Sequence, residues 1–122
     1  YYSDLGYSYS LMRNFSEAER AFLKSIELDK KNHPALNNLA WLYCENNVFI
    51  KEAIGYSIKA CELSPLNDAY LDTLAEAYYL DKQYDKAIET INKAIKINPN
   101  YTYLTQQLEK IKKAREEMEK NK

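Results

Sequence analysis

Apolar residues along this chain recur every three to four positions, the spacing that gives an α-helix one buried face. In the stretch 84–97 the stripe runs through Ala87, Ile88, Ile91, Ala94, Ile95 and Ile97. Carried along the chain, the same periodicity predicts helices at about 1–12, 16–29, 34–46, 51–63, 68–81, 84–97 and 101–119. Boundary signals agree with these spans. Ser16 with Glu19 three residues on has the form of a capping box, Pro34 suits a first helical turn, and Pro65 and Pro99 fall just past helix ends. With only two glycines and three prolines in 122 residues, tight hairpin turns are scarce and an all-α fold is expected.

The helices repeat. Leu5, Leu39, Leu74 and Leu108 are separated by 34, 35 and 34 residues. The same phase is kept by Tyr9, Tyr43 and Tyr78, by Phe15, Phe49 and Tyr84, by Ala18, Ala53 and Ala87, and by Leu28, Leu63 and Ile97. Small residues recur as well: Gly6, Ala40 and Ala75 on the first helix of each unit, and Ala18/Ser25, Ala53/Ala60 and Ala87/Ala94 on the second. Small side chains let two helices approach closely. A period of this length marks a solenoid, because one helical hairpin cannot bury both of its apolar faces and must lean on the next.

These residues resemble the tetratricopeptide repeat family. LGYSY, LAWLY and LAEAY match its first helices, FSEA and YDKA the start of its second, and LSPLN and INPN its endings. The resemblance covers essentially the whole chain as one unit, with repeats at about 1–32, 33–67 and 68–101 and a capping helix over 102–120. It implies a right-handed superhelical solenoid of three hairpins plus that cap. Leu104, Leu108, Ile111 and Met118 would form the cap's inner face, with charged residues crowding the rest. Two departures stand out. The second repeat has one extra residue between Tyr43 and Ala53, which predicts a longer turn around Asn46 and Asn47. It also carries Ser57 where its sisters have Phe22 and Ile91, and Cys61 where they have Ile26 and Ile95, so its interior is expected to be less tightly filled and locally soft.

Charge and cysteine content narrow the function. Seventeen Lys plus Arg balance eighteen Asp plus Glu, which gives nucleic acid or an anionic membrane no electrostatic hold. The basic cluster at 110–115 is followed at once by Glu116, Glu117 and Glu119, as on a solvated helix with i,i+4 pairs. Cys44 and Cys61 form no metal-ligand or redox motif, and no stretch is long and apolar enough to insert in a membrane. A reducing compartment, the cytoplasm, is the expected location; because the chain opens on Tyr1, a leader or further repeats before it stay open. His33 is the sole histidine and is expected in an exposed loop. Without a motif around it, and without a glycine-rich loop, no catalytic, metal or cofactor site is expected.

In the family, the first helices of successive repeats line a concave groove that holds peptides. By position, the resemblance implies a groove contact set of Tyr7, Asn37, Asn38, Trp41, Glu45, Asp72, Thr73, Glu76, Tyr79, Tyr103 and Gln107. Ser3, Asp4, Ser10, Cys44, Gln106 and Lys110 would share the same wall. Amide groups suit a peptide backbone and aromatic faces give rigid contact area. Trp41, the one tryptophan, is either a partner anchor or a packing residue that stiffens the stack. A further family feature, the carboxylate clamp for chaperone tails, needs cations where this chain has Ser3, Tyr7, Ala69 and Thr73, and only Asn38 fits. With Asp4, Glu45, Asp72 and Glu76 on the wall, a protein or peptide of neutral to basic character is the expected partner, in a scaffold or adaptor role. The alternative is a structural one, a segment of a longer solenoid or a module that self-associates through its N-terminal end.

Overall fold

The computed structural model describes residues 15–121, and the helix expected over 1–12, with Tyr7, lies outside the described residues. Those described form α1 (Phe15–Leu28), α2 (His33–Asn46), α3 (Ile50–Leu63), α4 (Asp68–Leu80), α5 (Tyr84–Ile97) and α6 (Thr102–Lys120), with no strand among them. Each boundary falls within one residue of its expected position.

Asparagines start two of the helices. The Asn32 side-chain oxygen accepts the Ala35 N–H at 3.2 Å, and that of Asn67 accepts the Tyr70 N–H at 3.1 Å. Each satisfies one amide that the helix leaves without a partner. The capping box expected of Ser16 and Glu19 is a correction: Ser16 is the second residue of α1, and the Glu19 carboxylate instead accepts the Tyr43 hydroxyl at 2.7 Å. That bond crosses from α1 to α2, where the Tyr43 ring also packs with Phe15, Phe49 and Tyr56. His33 is a second correction. It opens α2, half-buried, with its Nδ1 hydrogen-bonded to the Tyr70 hydroxyl at 2.8 Å.

The helices pair as α2 with α3 and α4 with α5, and consecutive pairs pack through α3 against α4, α2 against α4, and α5 against α6. At these crossings Ala18, Ala40, Ala53, Ala60, Ala75, Ala87 and Ala94 are buried, as their recurrence implied. Phe22, Leu36, Leu39, Ile91, Leu104 and Ile111 fill the space between them. The surface repeats too: Lys51 Nζ meets Asp81 at 2.9 Å, and Arg115 meets Asp85 at 3.2 Å. Lys51 and Asp85, like Asp81 and Arg115, stand 34 residues apart, so one bridge occurs twice with its charges exchanged. Solvent screening keeps each contribution small.

The extra residue of the second unit can be located. Both first helices end with a left-handed residue, Asn47 at φ 53° and Lys82 at φ 63°. In both, the next N–H reaches back five residues, Val48 to the Tyr43 carbonyl and Gln83 to the Tyr78 carbonyl. After that common point Gln83 leads directly into α5, whereas Val48 is followed by Phe49 before α3 starts. Phe49 is thus the added residue, which corrects its expected phase with Phe15 and Tyr84: Ile50, the first residue of α3, is the counterpart of Tyr84. Phe49 is absorbed by a second left-handed conformation, φ 51°, which leaves its side chain 55% exposed.

Ser57 is fully buried on α3 and its hydroxyl has no hydrogen-bond partner. Its sisters Phe22 and Ile91 are equally buried, so a polar group here replaces a large apolar one. Ser57→Ala should therefore raise stability by about 1 kcal/mol in urea denaturation, since an unpaired buried hydroxyl is removed. Lys82→Gly should add roughly 0.5–1 kcal/mol by relieving a left-handed, Cβ-bearing residue. A loss of stability in either variant would contradict the respective account.

Candidate functional site

The first helix of each pair, α2 and then α4, stands beside the next, and α6 continues the row through Leu104 and Ile111 packed in one cluster with Leu71 and Ala75. Residues four apart line up on a helix face. On α2 that line holds Asn37, Trp41 and Glu45 with Asn38 alongside; on α4 it holds Asp72 and Glu76 with Tyr79; on α6 it holds Tyr103, Gln107 and Lys110.

The α4–α6 half is already wired. Gln107 Nε2 donates to the Tyr103 hydroxyl oxygen, and the Tyr103 hydroxyl favours the charged form of the Asp72 carboxyl. Lys110 Nζ lies 2.9 Å from the Glu76 carboxylate and 4.5 Å from the centre of the Tyr79 ring, so one ammonium neutralises an acid and covers an aromatic face. Lys110 is expected on the wall from the sequence, though outside the contact set. Its spacing from Glu76 is one repeat, 34 residues, and opposite charges one period apart on first helices are the signal that would have singled it out.

Asp72 is held up at about 6, chiefly by burial; the Tyr103 hydroxyl lowers it, Glu76 raises it and Lys110 lowers it. Two expected wall residues are corrections. Thr73 is 4% exposed and its hydroxyl donates to the Ala69 carbonyl at 3.1 Å, turned into the packing between helices. Cys44 is buried in the core with its thiol pushed up to about 12 by that burial, so it is neutral and inert.

The α2 half is different. Trp41 is 38% exposed, and Glu45 is exposed. Asn37 and Asn38 are half-buried, and the Asn37 side-chain oxygen is shielded from solvent without any hydrogen-bond partner. Such a group is held at a cost unless something supplies a donor. Among the described residues no group of three or more His, Cys, Asp or Glu side chains is placed to hold a metal ion, and no helix is long and apolar enough to cross a membrane.

Family models of the tetratricopeptide repeat match residues 1–32, 21–47 and 73–101. No curated protein matches the chain. Among solved structures, the first TPR domain of human RPAP3 superposes with a TM-score of 0.91 at 19% identity, covering 99% of this chain and 94% of that one. The first TPR of Spaghetti (RPAP3) bound to the HSP90 peptide SRMEEVD gives 0.85 at 19% identity, covering 93% and 91%. A mutant O-GlcNAc transferase of Thermobaculum terrenum gives 0.84 at 19% identity; 90% of this chain is covered, but it spans only 21% of that protein's length.

The environment of Asp72 makes stability depend on pH in a set direction. Its folded value of about 6 lies above the ordinary 3.8, so the folded state holds the proton more tightly than the unfolded one. Stability should therefore fall as pH rises between about 4 and about 6 and level off above, to the extent that this group contributes. Asp72→Asn should flatten that slope in urea denaturation, and Tyr103→Phe should move the Asp72 carboxyl titration, followed by NMR, to still higher pH. A Tyr103→Phe titration that moved down would contradict this effect of the Tyr103 hydroxyl.

Proposed function

The chain belongs to the tetratricopeptide repeat family, and on that premise we propose that it is a protein- or peptide-binding module whose contact surface is the face formed by α2, α4 and α6. The observation that carries this reading is on α2: the shielded, unpaired Asn37 oxygen beside the exposed Trp41 ring. Turned outward, the half-buried Asn37 amide would take its missing donor from a backbone N–H of an extended peptide, and the indole would cover an apolar side chain. Asn38 and Glu45 extend the same line. Repeats at 33–67 and 68–101 with a cap over 102–120 would present this surface as a shallow concave wall.

The partner is of neutral to basic character. Glu45 is open to solvent, and Lys110, the cation described on this face, is spent on Glu76. An acidic tail such as the HSP90 peptide held by the Spaghetti domain would find Asn38 but no free lysine or arginine at Ala69 or Thr73, nor at Ser3 or Tyr7 in the sequence. The role is binding rather than catalysis: His33, the one histidine, is engaged by Tyr70 at the start of α2.

Capture from the source-cell lysate, comparing the wild-type chain with a Trp41→Ala/Asn38→Ala variant, tests this. The variant should keep its helicity and its mass by light scattering while its affinity for the captured partner drops by at least about 2 kcal/mol, more than tenfold. Equal capture by both would move the contact to the ends of the stack.

A further inference from the structure

Away from the α2–α4–α6 face, α3 and α5 part around an apolar cleft of about 470 Å³, floored by Leu71 and Leu74 of α4. Its origin is in the sequence. Cys61 lines the cleft at the position where the sister repeats carry Ile26 and Ile95, and the smaller side chain leaves the space open. Burial holds the Cys61 thiol at about 11 against the pull of Lys93, so it presents a neutral, weakly polar wall. Thr90 also lines the cleft, but its hydroxyl is already committed to the Lys86 carbonyl at 2.8 Å. The interior therefore offers apolar contact and almost no hydrogen bonding.

The mouth has a different character. Lys93 and Lys96 of α5 border it, opposed by Glu62 alone. Lys93 keeps a long contact of 3.9 Å with Glu89 on exposed side chains, and Lys96 makes no ion pair with any described residue. Ile58 and Ile97 are partly exposed beside them, and Leu66 stands 79% exposed on the connecting loop. A volume in the range of small-molecule sites, an apolar floor and a net cationic rim together describe the complement of an amphiphile with one negative end.

We propose that this cleft binds a medium-length, single-chain carboxylate, its alkyl tail laid over Leu71, Leu74 and Cys61 and its carboxylate at Lys93 and Lys96. The site shares no residue with the peptide-binding face, so its success or failure is independent of that reading.

Decanoate and decanol serve as probes, titrated by calorimetry and by methyl NMR of Ile58, Leu71, Leu74 and Ile97. Decanoate should bind with saturation and shift these methyls. Cys61→Ile, which installs the sister repeats' residue and should fold at least as well, should abolish binding. Lys93→Gln/Lys96→Gln should weaken decanoate by about tenfold and leave decanol unchanged. Undiminished decanoate binding by Cys61→Ile overturns the site, and equal effects of the lysine variant on decanoate and decanol overturn the carboxylate assignment. Absence of decanoate binding overturns the proposal outright and would leave the cleft to an amphipathic helix of another protein.

Discussion

Every layer of this stack rests on how close its helices can come. The crossings are made at alanines, with Ala18 and Ala53 repeated by Ala87, Ala60 by Ala94, and Ala40 by Ala75, all without appreciable exposure. A larger side chain at any of them would separate two backbones, and close-packed interiors do not absorb even a few extra methylenes without strain. Because each helix pair is the platform for the next, a displacement would be handed along the row. The large residues follow from the small ones: Phe22, Leu39, Ile91 and Leu104 occupy the space that the alanine contacts define.

The row of first helices inherits its chemistry from that spacing. One period brings Glu76 and Lys110 within 2.9 Å, and beside them Tyr103, bonded by Gln107, meets Asp72. These polar groups satisfy one another in a partly dry setting, where an unpaired member would be costly. Among the described residues the α2 segment has no such closure, and the Asn37 oxygen and the Trp41 ring remain unanswered there. Among the described residues the face is therefore graded from an internally saturated segment at α6 to an unsaturated one at α2.

What could be read from the sequence was what repeats. Helix positions, buried alanines and the polar Ser57 at an apolar core position of the second unit are encoded by phase, and phase survives across 34 residues. Features set by the rotamer or partner of one side chain were not legible. Thr73 lies on the margin between the outward face and the α4 packing face, and a bond to the Ala69 carbonyl turned it inward. Glu19 had a local cap as one possible partner and the Tyr43 hydroxyl of the next helix as another, and the tertiary contact won. His33 looked like loop because Pro34 follows it, yet Asn32 caps one residue earlier and places the imidazole within reach of Tyr70. The contact set chosen from the sequence mixed residues that are paired with residues that are open, since periodicity assigns a face but not an occupant.

The second left-handed turn at Phe49 bears on how such a chain tolerates length change. An added residue within a helix would rotate everything beyond it by about 100° and turn the buried stripe towards water. Here the addition lies between the helices, and Ala53, Ser57 and Ala60 still face inward in step with Ala87, Ile91 and Ala94. The connection works as a slip joint: it takes up one residue of contour length while transmitting no rotation to the helix that follows, so indels at this place are invisible to the core.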